Sequence, residues 1–331
     1  MAPAGDWSRF TRNLDPPCRG CWLKPGAIFC FQGAGQGSMM GVLIHDNSES
    51  CASCVRPFVV IGAQRTGTNL LREILNTNEQ LAMLGEILTP NPAPAHWENF
   101  CRSLPPGSIP PANYSAAESL LDEYFAFVEQ RIRNHWEGNR KNNVHAFGVD
   151  IKYNQLTAIA PADWDSRAHH PFLLRYLRSR GALLIHTTRN AIHCAISALI
   201  ASERNLWHNY EGALIDRAYR IDVEGCLSYA RTIIYSRNLF EGAARGCKVV
   251  MCPYEGLVKD LKRRGLQSDI AEGPGPLQDI AEAIGAPFRF RDDGRLHKAI
   301  NVPYSTLLSN YETLIKRVLN SEFSALVSTL D

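Results

Sequence analysis

The sequence predicts an α/β fold of three layers, with a central, mainly parallel sheet flanked by helices. Three observations carry that expectation. Short apolar runs rich in β-branched residues recur along the chain, several of them ended by glycine or polar residues, as buried strands are. Tracts with apolar residues at helical spacing lie between them. The two kinds alternate, which is the order produced when helices cross over between parallel strands. With 331 residues, 45% hydrophobic and 21% charged, the chain has the composition to bury such a core.

The first strand is expected in PFVVIG, from residue 57, and the first helix in GTNLLREILNT, where Leu70, Leu71, Ile74 and Leu75 recur at helical spacing. LAMLGE reads as a second strand. The proline-rich TPNPAPAHW and SLPPGSIPP then form a long connection, a length that compact domains tend to use for function. AAESLLDEYFAFVEQRIRNHW is an amphipathic helix and HAFGVDIKY alternates like a strand. PFLLRYLRSRG, GALLIHTT and RNAIHCAISALIASER read as helix, strand and helix. A long helical tract fills about 216–244, followed by a buried strand in GCKVVMCPY and a helix opening at EGLVKDLKR. GPGPLQDIAEAIG gives a short helix and STLLSNYETLIKRVL a last one.

Residues 1–55 carry turn-prone pieces (DPPCRG, GAGQGS, DNSES) and no sustained periodicity, so they read as an irregular extension, with the working domain over 56–331. Four of the ten cysteines fall in it as two CxxC pairs, Cys18 with Cys21 and Cys51 with Cys54. These are ligand types for a structural zinc. The Gly- and Ser-rich stretch between them exceeds the usual ~15–20 residues, however, which favours an extension without metal. Most of the other cysteines sit in apolar runs and read as buried free thiols. The formal charge of +2 gives no electrostatic reason to expect nucleic acid or an anionic membrane as partner. No run approaches the ~18 apolar residues of a membrane helix. The start, MAPAGDWSRF, lacks the layout of a secretory signal, and the expected location is cytoplasmic.

Chemistry enters at PFVVIGAQRTGTNLL. Gly62 and Gly67 keep the spacing of a phosphate-binding loop, but Thr68 and Asn69 stand where such loops place Lys-Ser/Thr. A strand, a glycine turn and a helix start gather backbone N–H groups around one point, which binds phosphate or sulfate without a particular side chain. Arg65 adds a permanent cation, and Thr66, Thr68 and Asn69 add donors. The ammonium that reaches a β/γ-phosphate and the hydroxyl that ligates magnesium are missing. A P-loop-like fold holding a shorter anionic chain, with no obligatory metal, is the expectation.

Arg65-Thr66-Gly67-Thr68-Asn69-Leu70-Leu71 resembles the loop of sulfotransferases that use 3′-phosphoadenosine-5′-phosphosulfate (PAPS), with Asn69 in place of a hydroxyl residue. A second tract strengthens the resemblance. In LLIHTTRNAIHCAIS, Arg189 ends a strand, Asn190 follows, and Ser197 comes eight residues after the arginine, as in that family's 3′-phosphate motif. His193 replaces the family's usual Asp. The two tracts lie about 120 residues apart in the expected order. VVMCPYEGLVKD, with Tyr254 and Glu255, and HAFGVDIKYNQL resemble further segments, the latter in bacterial members similar to trehalose sulfotransferase. In that strand Asp150 takes the place expected of a lysine, and Lys152 follows two residues on, on the same face.

The resemblance implies the following roles. Arg65, Thr66, Gly67, Thr68, Asn69 and Leu70 would hold the 5′-phosphate end of PAPS, and Arg189 with Ser197 the 3′-phosphate. Tyr254 and Lys298 would complete the cofactor site, with Arg295 a further late basic residue, and adenosine 3′,5′-bisphosphate would be the product. The acceptor would be a hydroxyl of a carbohydrate, lipid or other small molecule. A general base must then lie within hydrogen-bond reach. Glu86, at the end of the second strand and so beside the loop, is the first choice, with Asp150 and His145 in reserve. Lys152 would stabilise transferred oxygens. Trp97, Trp207, His208 and Tyr210 are candidates for the acceptor wall. Two alternatives stay open: a P-loop nucleotide-binding protein or kinase, and a non-catalytic module that binds adenosine bisphosphate.

Overall fold

The structure, a computed structural model, describes residues 56–89, 95–137, 144–205, 207, 217–263, 269–291 and 302–329. The irregular extension expected over residues 1–55 lies outside the described residues, and so do all four candidate zinc ligands, Cys18, Cys21, Cys51 and Cys54. The same holds for His208, Tyr210, Arg295 and Lys298.

Within the described residues the elements run β1 (Arg56–Gly62), α1 (Thr68–Thr77), β2 (Leu81–Glu86), α2 (Trp97–Arg102), α3 (Tyr114–Glu137), β3 (Ala146–Lys152), α4 (Ser166–His169), α5 (Phe172–Ser179), β4 (Leu183–Thr188) and α6 (Ala191–Arg204). They continue with α7 (Val223–Ala243), β5 (Lys248–Pro253), α8 (Tyr254–Lys262), α9 (Pro276–Ile284), α10 (Tyr304–Leu307) and α11 (Tyr311–Leu319). Single 3-10 segments follow β3 (Tyr153–Gln155) and α11 (Ser324–Thr329).

The five strands form one sheet in the order β2-β3-β1-β4-β5, all parallel. β1, at the centre, is the most apolar: Phe58, Val59, Val60 and Ile61 are all buried, so both faces of the strand are covered. On one face α1, α8 and α9 pack Leu71, Ile74, Leu75, Leu257, Leu277 and Ile280 against Phe58, Val60 and Ile185. On the other, α6 and α7 pack together with α10 and α11. The ring of Phe240 on α7 lies 4.6 Å from that of His186 on β4, the residue after Ile185 and thus on the opposite face. The result is three layers, helix, sheet, helix, as expected.

Local chemistry sets the ends. Asn190 caps α6, its Oδ1 accepting from the N–H of Ile192 at 2.8 Å and of His193 at 3.4 Å. Pro276 opens α9, where its fixed φ suits the first helical position. Four differences from the sequence reading have physical causes. β5 is an edge strand with one neighbour; Lys248 and Met251 are exposed and Cys252 is buried. The helical tract expected from about 216 begins at Val223, because 217–222 is extended enough for Tyr219 to bridge to Leu308. The last tract divides into α10 and α11. The connection after β2 contains α2, whose Trp97 N–H donates to the carbonyl of Ile87 at 2.8 Å.

Among the described residues no helix is long and apolar enough to cross a membrane. Cys194, Cys226 and Cys252 are buried free thiols, and Cys101 and Cys247 are free and partly buried.

Candidate functional site

The loop between β1 and α1 lies at the carboxyl ends of the central strands, where ligands bind in open parallel sheets. Its two tight points are glycines. Gly67 has φ +91, and a Cβ there would lie 2.5 Å from Cδ2 of Tyr254. A Cβ on Gly62 would collide with Oγ1 of Thr187. Arg65 also adopts positive φ, +68, which is uncommon for a residue with a side chain. Thr66, buried, ties the turn together. Its Oγ1 donates to the carbonyl of Ala63 at 2.8 Å and lies 3.0 Å from Oγ1 of Thr187 on β4. The first helical bond of α1 is from Leu71 N–H to the carbonyl of Gly67, 3.0 Å, so the amides of Thr68, Asn69 and Leu70 precede the intrahelical ladder. Leu70's side chain packs against the core cluster below α1.

The turn at Arg65 sends its side chain across to α6. Nε donates to Oγ of Ser197 at 3.0 Å, and Nη1 to the backbone carbonyl of Trp207 at 2.6 Å. Arg189, just beyond β4, reaches the other way: its Nη1 donates to the carbonyl of Arg65 at 3.0 Å. Cys194 Sγ points at the same carbonyl, 3.7 Å away, and burial pushes its thiol up to about 12, so it is a neutral donor. The Arg189 guanidinium lies over the Tyr254 ring at 4.3 Å, so one tyrosine supports both Arg189 and Gly67. Arg189 Nε is buried and has no hydrogen-bond partner. Among the described residues no carboxylate is ion-paired with either arginine. Arg65's pKa is lowered first by burial and second by the charge of Arg189. Two arginines joined in this way, with no carboxylate partner among the described residues, leave positive charge that an anion would offset.

The sequence reading assigns Arg65 to the 5′-phosphate end and Arg189 to the 3′-phosphate; the two arginines are joined directly through the Arg65 carbonyl. Ser197, expected beside Arg189, is bonded to Arg65, because the left-handed Arg65 turn carries its guanidinium onto α6.

A second cluster lies beside the loop on β2 and β3. Lys152 is 2% exposed, and its Nζ donates to Oγ1 of Thr68 and to Oδ2 of Asp150, both at 2.7 Å. Glu86 Oε1 stands 3.7 Å from the same ammonium. Gln155 Nε2 donates to Glu86 Oε2 at 3.3 Å, while Gln155 Oε1 accepts from the Lys152 N–H at 2.8 Å. Glu86 reaches this cluster through an irregularity in β2. Leu81, Ala82 and Met83 pair with Ala146, Phe147 and Gly148, and then Glu86 pairs with Asp150. Three steps on β2 match two on β3, as at a β-bulge, which re-aims a side chain. Glu86 is the most exposed of the three charged groups, its side chain 25% accessible.

Glu86, Lys152 and Thr68 therefore meet in one cluster, and Arg65, Arg189, Ser197 and Tyr254 in another, with α1's N-terminus between them. His145 does not join. It precedes β3, seven residues from Lys152, about 23 Å at ~3.3 Å per residue, and its N–H donates to the Gln80 carbonyl. Trp97 is partly buried, its ring packed edge-on against Tyr124 at 4.9 Å and near Phe100 at 5.6 Å. The sequence reading overlooked Thr187 and Gln155. Both adjoin residues already singled out, Thr187 two before Arg189 and Gln155 three after Lys152. Among the described residues no group of three or more His, Cys, Asp or Glu is placed to hold a metal ion. That finding does not reach Cys18, Cys21, Cys51 or Cys54, which lie outside those residues.

A model of the sulfotransferase family matches residues 57–264, more than half of the 331-residue chain. The chain belongs to that family, and its chemistry is sulfuryl transfer. Among solved structures it is similar to a sulfotransferase from Alicyclobacillus acidocaldarius, at 16% identity and TM-score 0.41, covering 83% of this chain and 94% of that one. It is also similar to sulfotransferase STF9 from Mycobacterium avium, at 13% identity and TM-score 0.35, over 70% of this chain and 64% of that one. An apo-form GTPase from Pyrococcus abyssi is similar at 12% identity and TM-score 0.22, with 60% and 91% covered. No curated protein sequence gives a significant match.

Proposed function

We propose that this site transfers a sulfuryl group from PAPS to a hydroxyl of a small-molecule acceptor, without an obligatory metal. The observation that carries the reading is the pair Arg65 and Arg189, part-buried, joined through the Arg65 carbonyl and lacking a carboxylate partner among the described residues. Such a pair is stabilised by an anionic ligand, and arginine suits phosphate through paired donors. The orphaned Arg189 Nε has a donor to give to that ligand.

In this reading Arg189 and Ser197 hold the 3′-phosphate, and ligand entry replaces the Arg65–Ser197 bond by bonds to phosphate. The Thr66 to Leu70 turn and the start of α1 take the 5′-phosphate end through backbone N–H groups and the Thr68 and Asn69 side chains. Arg65 and Lys152 neutralise charge that develops on the bridging and equatorial oxygens, a contribution largest where donors are fixed beforehand. Lys152 is so fixed, by Thr68 and Asp150. Glu86 takes the proton from the acceptor hydroxyl. Its partial exposure and its bond from Gln155 leave it as the carboxylate of the cluster that an incoming acceptor can reach. Tyr254 supports Arg189 and the loop.

Incubation with a donor carrying labelled sulfur and a panel of sugar, lipid and phenolic alcohols, in the presence of EDTA, tests the reading. Label transferred to an alcohol supports it. Transfer that stops in EDTA, or phosphoryl transfer from ATP in its place, contradicts it.

A further inference from the structure

The loop places Thr68 at the position that a Gly-x-x-x-x-Gly-Lys loop gives to lysine, yet a lysine ammonium is at that point. Lys152 supplies it from β3, the strand paired with β1 so that Gly62 and Lys152 are register partners. Its Nζ reaches Oγ1 of Thr68 at 2.7 Å. A flexible four-carbon arm needs a second contact to hold its end in one place. Asp150, two residues earlier on the same face, provides it at 2.7 Å. Asp150 and Lys152 are each 2% exposed. Burying such a pair gains little over apolar side chains of equal volume, so stability does not account for its presence. Asp150 uses one oxygen only; Oδ1 is buried without a partner. Nothing ties the carboxylate to another task.

We propose that Asp150 is a positioning residue for the anion-binding loop, holding the Lys152 ammonium against Thr68 so that it stands in for the lysine the loop sequence omits. The identity of the anion rests on the PAPS reading above; the placement of the cation does not. The sign of the effect separates this from a plain charge effect. Removing a buried negative charge beside an anion site strengthens anion binding if charge alone matters. Removing a positioning residue weakens it.

The test is a double-mutant cycle on the full chain, using calorimetric binding of adenosine 3′,5′-bisphosphate to wild type, Asp150→Asn, Lys152→Met and the double variant, each checked for cooperative melting. Each single substitution is expected to weaken binding about tenfold or more. The double variant is expected to bind within about twofold of Lys152→Met, because Asp150 acts through Lys152 alone. Tighter or unchanged binding by Asp150→Asn, or losses that simply add, overturns the proposal. If wild type ignores the bisphosphate, the PAPS reading falls, and inorganic pyrophosphate becomes the probe for the same four proteins. The same non-additive losses then sustain the positioning role, and failure of wild type to bind pyrophosphate overturns it as well. Should Asp150→Asn not fold, Asp150→Glu keeps the charge and displaces the ammonium. It is expected to weaken binding about threefold or more, and wild-type affinity in that variant overturns the proposal.

Discussion

Arg65 in the first loop donates through Nε to Oγ of Ser197 at 3.0 Å, although 132 residues separate them in the chain. The contact joins the two tracts that define the site, and it brings together groups that the sequence suggests bind different phosphates. Ser197 accepts from Arg65 Nε and the Arg65 carbonyl accepts from Arg189 Nη1, while Arg189 Nε has no partner. An incoming bisphosphate is therefore expected to exchange the Arg65–Ser197 bond and to take the Arg189 Nε donor.

Arg189→Ala is expected to weaken adenosine 3′,5′-bisphosphate binding by roughly tenfold to a hundredfold, matching the ~1.5–3 kcal/mol of a hydrogen bond to a charged group. Arg189→Lys should recover only part of that, because lysine lacks the planar pair of donors. Titration calorimetry on melted-and-checked variants decides it. Equal affinity of the Lys and wild-type proteins would show that only the charge matters.

Gly67→Ala is expected to lose at least about 1–2 kcal/mol through its left-handed backbone alone. The new methyl also meets the Tyr254 ring, 2.5 Å from the Cβ position. Combining it with Tyr254→Ala removes the second penalty and leaves the first. Chemical denaturation of the two single variants and the double variant measures the split; simple additivity would mean the ring and the loop do not touch.

Glu86→Gln keeps the shape of the side chain and its bond from Gln155 while removing the basic oxygen. Turnover is expected to fall by about 10²–10⁴-fold, the range of a general base. Bisphosphate affinity should change by less than about threefold, since the proposed role of Glu86 is toward the acceptor hydroxyl and not the phosphates. Unaltered turnover would move the base elsewhere, and absent turnover in wild type would leave a binding module.

His186 sets a pH dependence of stability. Burial, aided by the charge of Arg237, lowers its pKa to about 4 from 6.5, and its Nε2 lies 2.6 Å from the hydroxyl of Tyr153. The unfolded chain binds this proton below about 6.5 and the folded chain only below about 4. Between those values the unfolded state holds more protons, so stability rises with pH and is lost on acidification. The loss attributable to His186 is at most roughly 3 kcal/mol. Urea midpoints at pH 7.5 and 4.5 should differ less in His186→Gln than in wild type; identical differences would remove His186 from the account.

Much of the fold is legible in the sequence because burial on both faces leaves unbroken apolar runs such as FVVI and LLI. β5 misleads because its run is as apolar as theirs while its place is at the edge, and order within a sheet leaves no trace in a local pattern. The β1–α1 loop is legible because Gly67 combines a positive φ with a close approach to Tyr254 and Gly62 lies against Thr187, positions where glycine is favoured. Glu86's position beside Lys152 is legible only as nearness to a strand end. The extra residue in β2 that turns Glu86, rather than Gly85, toward Asp150 is a pairing fact, and pairing is not local. The Arg65–Ser197 bond escapes for a related reason: a left-handed arginine has no sequence signal of the kind glycine gives.

The central claim is that this loop and Arg189 form a site for an adenosine bisphosphate and not for a nucleoside polyphosphate with magnesium. Thermal melting of the wild-type chain with adenosine 3′,5′-bisphosphate, beside melting with ADP and magnesium, tests it most directly. A rise in melting temperature with the bisphosphate that disappears in Arg189→Ala, and a smaller or absent rise with ADP and magnesium, is the predicted result. Stabilisation by ADP and magnesium without stabilisation by the bisphosphate would contradict it.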